Sequence, residues 1–227
     1  KAGFSASFTT ETISDYRLLL GSLLGPDCAI ELLNSVYNAV ALLGPATHVG
    51  LRGWDGTYSG AQFCLGVVAA RSTQPEGQVV AAGKMVTYPY GGQTGVIESV
   101  NLQVESPRPS STVLPNDLAG TPVIVNLRNA DYLNLGLAGS LNVQVTKFEM
   151  SDPSSGTVVP AAILAHVALK GGGGVVLSGD PNLPVGAVVL VPLTPLLPGH
   201  TYNMSFAATL KDGGPTLQKS WSFTTRP

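Results

Sequence analysis

Charged side chains are scarce in this sequence, and their scarcity is the first constraint on function. Asp, Glu, Lys and Arg make up 11% of the 227 residues, whereas about 25% is usual in soluble domains. The 12 basic residues are scattered singly among 14 acidic ones, and the formal net charge is −2. A nucleic-acid-binding surface needs a basic patch that follows the phosphate backbone. We therefore expect no nucleic-acid partner.

Long apolar runs are also missing. The longest one, at residues 187–197, is interrupted by Pro192 and Pro195, and it is shorter than the roughly 18 apolar residues that span a bilayer. The opening KAGFSASFTT lacks the apolar core of a signal peptide and looks like a mature N-terminus after cleavage. We expect no membrane span and a secreted, extracellular or cell-surface location.

Cysteine is limited to Cys28 and Cys64, which excludes a cysteine-rich metal site. Cys28 stands just before a predicted helix and Cys64 within a predicted strand, so the two are either one disulfide or two buried thiols. We favour the disulfide because the composition suggests secretion. A bridge that closes a loop of this length stabilises a fold by about 3–4 kcal/mol in the chain-entropy model.

Few residues offer catalytic chemistry. None of the three histidines has a second His, Cys or carboxylate at metal-ligand spacing. A G-x-S-x-G motif is missing, and the glycine run at 171–174 lacks the Lys-Ser/Thr of a phosphate loop. Glu98 and Glu105 stand apart across a predicted loop without the fixed geometry of an acid–base pair, so surface or turn-capping roles are expected. We predict a protein that is not an enzyme, with no metal and no cofactor.

One helix is predicted, at residues 29–43, on an amphipathic pattern. Its apolar residues recur at three- and four-residue spacing, namely Ile30, Leu33, Val36, Tyr37, Val40 and Leu43. Asp27 is suited to cap the start, and Gly44-Pro45 ends the pattern. Because strand patterns follow, we expect this helix to lie against a sheet.

The N-terminal segment at residues 4–10 alternates as a half-buried strand. Phe4, Ala6 and Phe8 share one face, and small hydroxyl residues occupy the other. Such a strand is able to add to the sheet edge of a neighbouring chain, because backbone ladder bonds and alternate side-chain pockets suffice for the pairing. We predict these three residues as a self-association strand.

The second half of the chain is rich in strand patterns. Tyr202, Met204 and Phe206 belong to the clearest alternation, and Trp221 and Phe223 share one face of the last strand. Short strands joined by turns are typical of a sandwich. A Pro/Ser-rich tract at 105–116 is the candidate boundary region. The prediction is a mainly β chain with an α+β domain at 1–119 and a β-sandwich at 120–227.

The C-terminal domain resembles the immunoglobulin-like or fibronectin-III-like modules of bacterial secreted proteins. The resemblance rests on Leu196-Leu197-Pro198-Gly199-His200-Thr201-Tyr202 and on the closing Trp221-Ser222-Phe223-Thr224-Thr225. It implies that Tyr202 packs at a corner and that its hydroxyl bonds the backbone. It implies nothing about chemistry, because such folds host many functions.

The N-terminal domain resembles the later part of a bacterial CAP (SCP/PR1-like) secreted domain. The evidence is the order of several short motifs, which are Tyr37-Asn38-Ala39, Leu42-Leu43-Gly44-Pro45, Val49-Gly50, Tyr88-Pro89-Tyr90-Gly91-Gly92-Gln93 and Glu105-Ser106-Pro107-Arg108-Pro109. Asn38 stands where the family has His. The first helices of the family, with a further His and acidic partners, would lie upstream of Lys1. The resemblance therefore implies a degenerate domain without the family's cleft chemistry.

Three functions remain open from the sequence. The first is a non-catalytic extracellular structural or interaction protein that assembles with copies of itself or binds other cell-surface components. The second is a ligand-binding module that holds a lipid or glycan near Asn38, Tyr88, Tyr90 and Gln93. The third, a hydrolase, ranks last because every candidate nucleophile lacks a base. Asn203-Met204-Ser205 also matches a glycosylation sequon.

Overall fold

The protein is mainly β and divides into two compact units. The computed structural model describes residues 6–16, 30, 32–43, 48–55, 62–71, 84–127, 133–134, 140–141, 143–166, 169–170, 174–184, 186–210 and 216–227. The first unit comprises Lys1–Val79 with Val104–Ser106, and the second comprises Val80–Gln103 with Pro107–Pro227. The prediction of a mainly β chain is confirmed.

The first unit contains a three-stranded antiparallel sheet and a short helix. The strands are β1 (Ala6–Tyr16), β2 (His48–Asp55) and β3 (Gln62–Arg71), in the spatial order β1-β3-β2. The helix, α1 (Val36–Leu42), packs against β1 and β3. The expected packing of a helix on a sheet is therefore observed, and β1 extends beyond the predicted 4–10 as far as Tyr16.

The predicted continuous helix at 29–43 is wrong, because it breaks at Asn34 and Ser35. One helical turn closes with the Asn34 N–H donating to the Ile30 carbonyl at 2.9 Å. Ser35 then adopts an extended backbone (φ −130°, ψ 157°) before α1 begins. Its hydroxyl donates back to the Leu32 carbonyl at 2.9 Å. Asn and Ser side chains compete for backbone hydrogen bonds in this way, which disfavours a helix interior.

The break also shifts the buried face of the helical segment. Leu32, Val36, Ala39 and Val40 are buried, which is a helical spacing of its own. Of the residues in the predicted apolar stripe, Val36 and Val40 are buried, whereas Ile30 is 41% exposed. Tyr37 lies at the margin with intermediate exposure.

The second unit contains two larger sheets. The first has five strands in the order β12-β11-β17-β18-β5. Their bounds are β5 (Gln93–Val96), β11 (Val143–Asp152), β12 (Thr157–Val158), β17 (Thr201–Leu210) and β18 (Leu217–Thr225). All neighbours pair antiparallel except β5, which runs parallel to β18.

The other large sheet has six strands in the order β14-β15-β13-β16-β8-β4. Their bounds are β4 (Val86–Tyr88), β8 (Val123–Asn126), β13 (Ala161–Ala165), β14 (Leu169–Lys170), β15 (Val176–Gly179) and β16 (Ala187–Pro192). Two short pairs complete the described strands, β6 (Ser99–Asn101) with β7 (Leu118–Gly120) and β9 (Leu133–Asn134) with β10 (Ser140–Leu141).

One hydrophobic core lies between the five- and six-stranded sheets, which gives the unit a sandwich-like arrangement. Phe206 and Phe223 from one sheet and Val125 and Val188 from the other belong to the same buried cluster. Alternate residues of β17 are buried, as the sequence predicts. The Phe148 and Phe206 rings meet edge to face with centroids 5.3 Å apart, a favourable geometry for aromatic pairs.

Residues 80–103 belong to the second unit, whereas the sequence pattern assigns them to the N-terminal domain at 1–119. The reason is strand pairing: β4 pairs with β8, and β5 pairs with β18. Each large sheet of the second unit therefore has an outer strand from this earlier part of the chain. The motif Tyr88-Pro89-Tyr90-Gly91-Gly92-Gln93 connects these two outer strands.

Tyr202 makes the backbone contact that the resemblance to immunoglobulin-like modules implies. The side chain is 3% exposed, and its hydroxyl accepts a hydrogen bond from the Leu197 N–H at 2.8 Å. The contact ties the segment before β17 to the core, because the ring also lies against Phe223 with centroids 5.9 Å apart.

Replacing Tyr202 with Phe is expected to lower the free energy of unfolding by about 1–2 kcal/mol, because the Leu197 N–H loses its acceptor while the ring stays. Urea denaturation followed by circular dichroism measures the change. Tyr90→Phe is the control, because Tyr90 is 60% exposed. Equal losses in the two variants would argue against a stabilising role for the Tyr202 hydroxyl.

Candidate functional site

The predicted self-association strand lies at the edge of a sheet. Ala6 and Phe8 belong to β1, while Phe4 lies outside the described residues. The strand pairs antiparallel with β3 from Ala6↔Arg71 to Tyr16↔Gln62, with a register shift between Ala6 and Phe8. Among the described residues, β3 is the one strand that pairs with β1. The opposite side of the β1 backbone therefore has no partner strand within the described part of the chain.

The two cysteines are described only in part. Cys64 lies in the central strand β3, opposite Ser14 of β1 and Gly53 of β2. Cys28 lies outside the described residues. The disulfide stays a prediction.

Three of the four residues of the predicted ligand cleft lie in one turn. Tyr88 ends β4, Gln93 begins β5 and Tyr90 lies between them. The Gln93 side-chain oxygen accepts from the Tyr90 N–H at 3.0 Å, and the Gln93 N–H donates to the Tyr90 carbonyl at 3.1 Å. Burial raises the pKa of Tyr88, while a hydrogen bond with the Gln93 side chain acts in the opposite direction. The polar groups of this turn are thus directed at each other.

The same turn is anchored to β18 by hydrogen bonds. Trp221 Nε1 donates to the Pro89 carbonyl at 3.0 Å, and the Gly92 N–H donates to the Ser222 carbonyl at 2.8 Å. Lys219 Nζ donates to Thr87 Oγ1 at 2.8 Å, and burial lowers the pKa of Lys219. We conclude that the turn fastens the outer strands of the sandwich to its core.

Asn38 belongs to α1 of the first unit, whereas Tyr88, Tyr90 and Gln93 belong to the second. Its side chain has intermediate exposure. Tyr37 is the one ionisable residue of α1. Asn38 itself places an uncharged amide at this position of the helix.

Glu105 occupies a position that sequence reasoning did not find. Its side chain is 7% exposed, and Oε1 accepts a hydrogen bond from the Val36 N–H at 2.7 Å across a separation of 69 residues. Oε2 is buried without a hydrogen-bond partner among the described residues. Burial raises the pKa of Glu105 to about 7, against a smaller opposing effect of the Val36 and Tyr37 N–H groups.

Glu98 and Glu105 have separate partners, so the structure does not bring them into an acid–base pair. Glu98 Oε2 accepts from Arg226 Nε at 2.8 Å, and this hydrogen bond is the main cause that lowers the pKa of Glu98. The carboxylate of Glu105 instead caps α1. Glu105 is buried and caps a helix, so the expected surface or turn-capping role does not describe it.

A shallow polar trough lies on the outer face of the five-stranded sheet. Its volume is about 450 Å³, and its lining includes Lys147, Glu149, Asn203, Ser205, Ser220 and Ser222. Lys147 Nζ and Glu149 Oε2 are 3.2 Å apart, so the two charges compensate each other. Short side chains on adjacent strands, next to these longer ones, create the concavity.

Two further observations concern metals and membranes. Within the described residues, no group of three or more His, Cys, Asp and Glu side chains is arranged to hold a metal ion. No helix in the same part of the chain is both long enough and apolar enough to cross a bilayer.

Comparisons with known proteins give little guidance. No protein-family model matches the chain, and no curated protein matches its sequence. Among solved structures, it is similar to PcoC, a copper resistance protein from Escherichia coli, at 14% identity. The alignment covers 62% of this chain and 95% of PcoC with a TM-score of 0.31. Similarity at this level supports no statement about function.

Proposed function

We propose that this protein is a non-catalytic extracellular structural or interaction protein that associates with copies of itself by strand addition at β1. The observation that carries the proposal is the place of β1 at the edge of its sheet. An edge strand presents a row of backbone N–H and C=O groups, which is a template for pairing with another chain. The net charge is only −2, so electrostatic repulsion between copies of the chain is weak.

The sheet order suggests how assembly would proceed. β1 lies at one edge and β2 at the other, with β3 between them. Pairing of β1 with the β2 strand of the next copy is a head-to-tail contact, which produces a filament unless the rotation closes a ring. Pairing of β1 with a second β1 produces a two-fold dimer. Both modes need only backbone groups along β1, which is 11 residues long.

The extracellular class rests on sequence resemblance. The order of motifs from Tyr37 to Pro109 resembles a CAP domain, and the segment around Tyr202 resembles an immunoglobulin-like module of secreted bacterial proteins. Asn38 in place of the family's His supports the non-catalytic part of the proposal. The internal hydrogen bonds of Tyr90 and Gln93 support it as well, since they give those groups a structural use.

Two adjacent proline substitutions in β1 test the proposal. Neighbouring N–H groups of a strand point in opposite directions, so one of Thr10 and Glu11 donates toward β3 and the other toward the open edge. Light scattering after size exclusion is expected to show that one variant, Thr10→Pro or Glu11→Pro, associates about tenfold more weakly with unchanged stability, because it lacks an edge donor. The other is expected to destabilise the first unit.

The outcomes of this pair separate assembly from folding. A native chain that is monomeric at all concentrations, by light scattering and by electron microscopy, would overturn the proposal. Association that neither substitution weakens would overturn the assignment to β1. Deletion of residues 1–10, which removes the first part of β1, is the coarser test, and association that persists unchanged after this deletion would also count against the proposal.

A second candidate function is glycan binding, and the polar trough favours it. Its hydroxyl and amide groups both donate and accept hydrogen bonds, and its charges compensate each other, which suits a neutral ligand rich in hydroxyls better than a lipid. A glycan array with the wild-type chain and with Ser205→Leu would test this function. Binding that is equal in both would place any glycan site elsewhere.

A further inference from the structure

The segment Val104–Ser106 stands out because it belongs to the first unit while the residues on both sides of it in sequence belong to the second. Glu105 is the link within this segment, since Oε1 lies 2.7 Å from the Val36 nitrogen at the first residue of α1. The first N–H groups of a helix have no acceptor inside the helix. Glu105 therefore supplies the hydrogen-bond acceptor that a residue next to the helix usually supplies, although it is distant in sequence.

The residue next to the helix does not perform this task. Ser35 occupies the N-cap position, but its side chain makes no capping hydrogen bond, because its hydroxyl donates to the Leu32 carbonyl. Ser is among the preferred residues for capping by its own side chain. The start of α1 thus depends on Glu105, which the folded chain brings to it.

The surroundings of Glu105 offer no compensating charge on the helix. α1 has no acidic residue in its first turn and no basic residue in its last, and Tyr37 is its one ionisable side chain. Val104 and Ser106 are uncharged. The strands that pack against α1 carry the ionisable residues Glu11, Asp15, Tyr16, Cys64 and Arg71. Burial raises the pKa of Glu105 and two backbone N–H groups lower it, and no charged partner contributes from the described part of the chain.

We propose that Val104–Ser106 is a pH-sensitive clip, in which the buried Glu105 carboxyl group holds the start of α1 when protonated and holds it less firmly when ionised. In both forms Oε1 is able to accept from the Val36 N–H. Ionisation places a charge in a site that is 7% exposed, where Oε2 has no hydrogen-bond partner among the described residues. The free-energy cost of desolvating that charge exceeds the stabilisation that the hydrogen bonds from the N–H groups provide.

The direction of the pH effect follows from proton linkage. In the docked form, in which Glu105 contacts the start of α1, burial raises the pKa of Glu105 to about 7 from the ordinary value of 4.5. In the released form this contact is lost. The docked form therefore binds more protons than the released form between these two values. Its stability is fully present below pH 4.5 and is lost as pH rises through about 7. The equilibrium constant for release of Val104–Ser106 from α1 is expected to rise on the order of a hundredfold as the pH increases across this window, and then to level off.

Amide hydrogen exchange of the full chain tests the clip. Protection factors of Val36 and Tyr37, corrected for the intrinsic exchange rate, are measured from pH 5 to pH 8. They are expected to fall with pH in the wild type and to stay constant in Glu105→Gln, which retains an amide oxygen but cannot ionise. Glu98→Gln is the matched control, because Glu98 pairs with Arg226 and its removal should leave the wild-type pattern at α1.

A second measurement keeps the proposal falsifiable if Glu105→Gln fails to fold. The carboxyl carbon of Glu105 is titrated by NMR in the wild-type chain. A midpoint near 7 together with falling protection supports the clip. A midpoint near 4.5, or protection factors with the same pH dependence in wild type and Glu105→Gln, would overturn it.

Discussion

Phe206→Ala is expected to lower the free energy of unfolding of the second unit by about 3–5 kcal/mol, the usual range for removing a buried phenylalanine. Phe206 is 1% exposed and belongs to the largest fully buried side chains. It lies opposite Phe148 on β11 and opposite Lys219 on β18. The substitution therefore leaves a cavity at the centre of the five-stranded sheet and removes the edge-to-face contact with Phe148.

Two control variants assign this loss to packing. Ser205→Ala changes the adjacent residue, which has intermediate exposure and lines the outer trough, and it is expected to stay within about 0.5 kcal/mol of the wild type. Phe206→Leu keeps most of the volume and should cost less than Phe206→Ala. Urea denaturation followed by circular dichroism measures all three. A loss for Phe206→Ala as small as that for Ser205→Ala would contradict the central position of this ring.

Gly120→Ala is expected to destabilise the second unit at the upper end of the roughly 1–3 kcal/mol that overpacking costs. A Cβ atom at Gly120 would lie 2.6 Å from Pro192 Cβ and 2.9 Å from the Thr194 carbonyl oxygen. Neither neighbour is the end of a flexible side chain, since one is a proline ring and the other is backbone. The methyl group therefore forces β7 and the end of β16 apart.

Gly91→Ala is the matched control for this substitution. A Cβ there meets Trp221 Cβ at 3.4 Å as its nearest neighbour, and the residue is exposed. Alanine at such a position also reduces the freedom of the unfolded chain, so its stability is expected to equal or exceed that of the wild type. Thermal unfolding compares the two variants. Equal melting temperatures would mean that β7 and Pro192 are farther apart than the structure shows.

Local alternation predicted much of the second unit. The pattern of Tyr202, Met204 and Phe206 repeats every second residue, which matches the geometry of a strand with one face in the core. The burial of these residues and of Trp221 and Phe223 confirms that prediction. The resemblance to immunoglobulin-like modules implied that the Tyr202 hydroxyl bonds the backbone, and the structure shows that the donor is the Leu197 N–H.

The helix shows where pattern reasoning fails. The apolar residues of 29–43 fit one helical stripe, but periodicity does not weigh the preference of Asn34 and Ser35 for local backbone bonds. The segment therefore breaks, and Leu32 and Ala39 are buried while Ile30 is partly exposed. The capping residue also escaped prediction, because Glu105 lies 69 positions from Val36.

The predicted ligand residues illustrate a similar limit. The sequence predicts Tyr88, Tyr90 and Gln93 near a ligand-binding cleft, because residue types alone do not reveal their hydrogen-bond partners. The structure directs Gln93 to the backbone of Tyr90 and fastens Pro89 to Trp221. A buried polar group needs a partner, and here the partner is supplied by β18, more than a hundred positions along the chain.

The sequence by itself determined the mainly β character and the alternating faces of β17 and β18, because these follow from steric and hydrophobic rules over a few residues. The tertiary structure alone decided that β4 and β5 complete the sandwich, that β1 lies at a sheet edge and that Glu105 caps α1. Those features depend on which distant segments meet, and many pairings satisfy the same local pattern. Packing of the whole chain selects one of them.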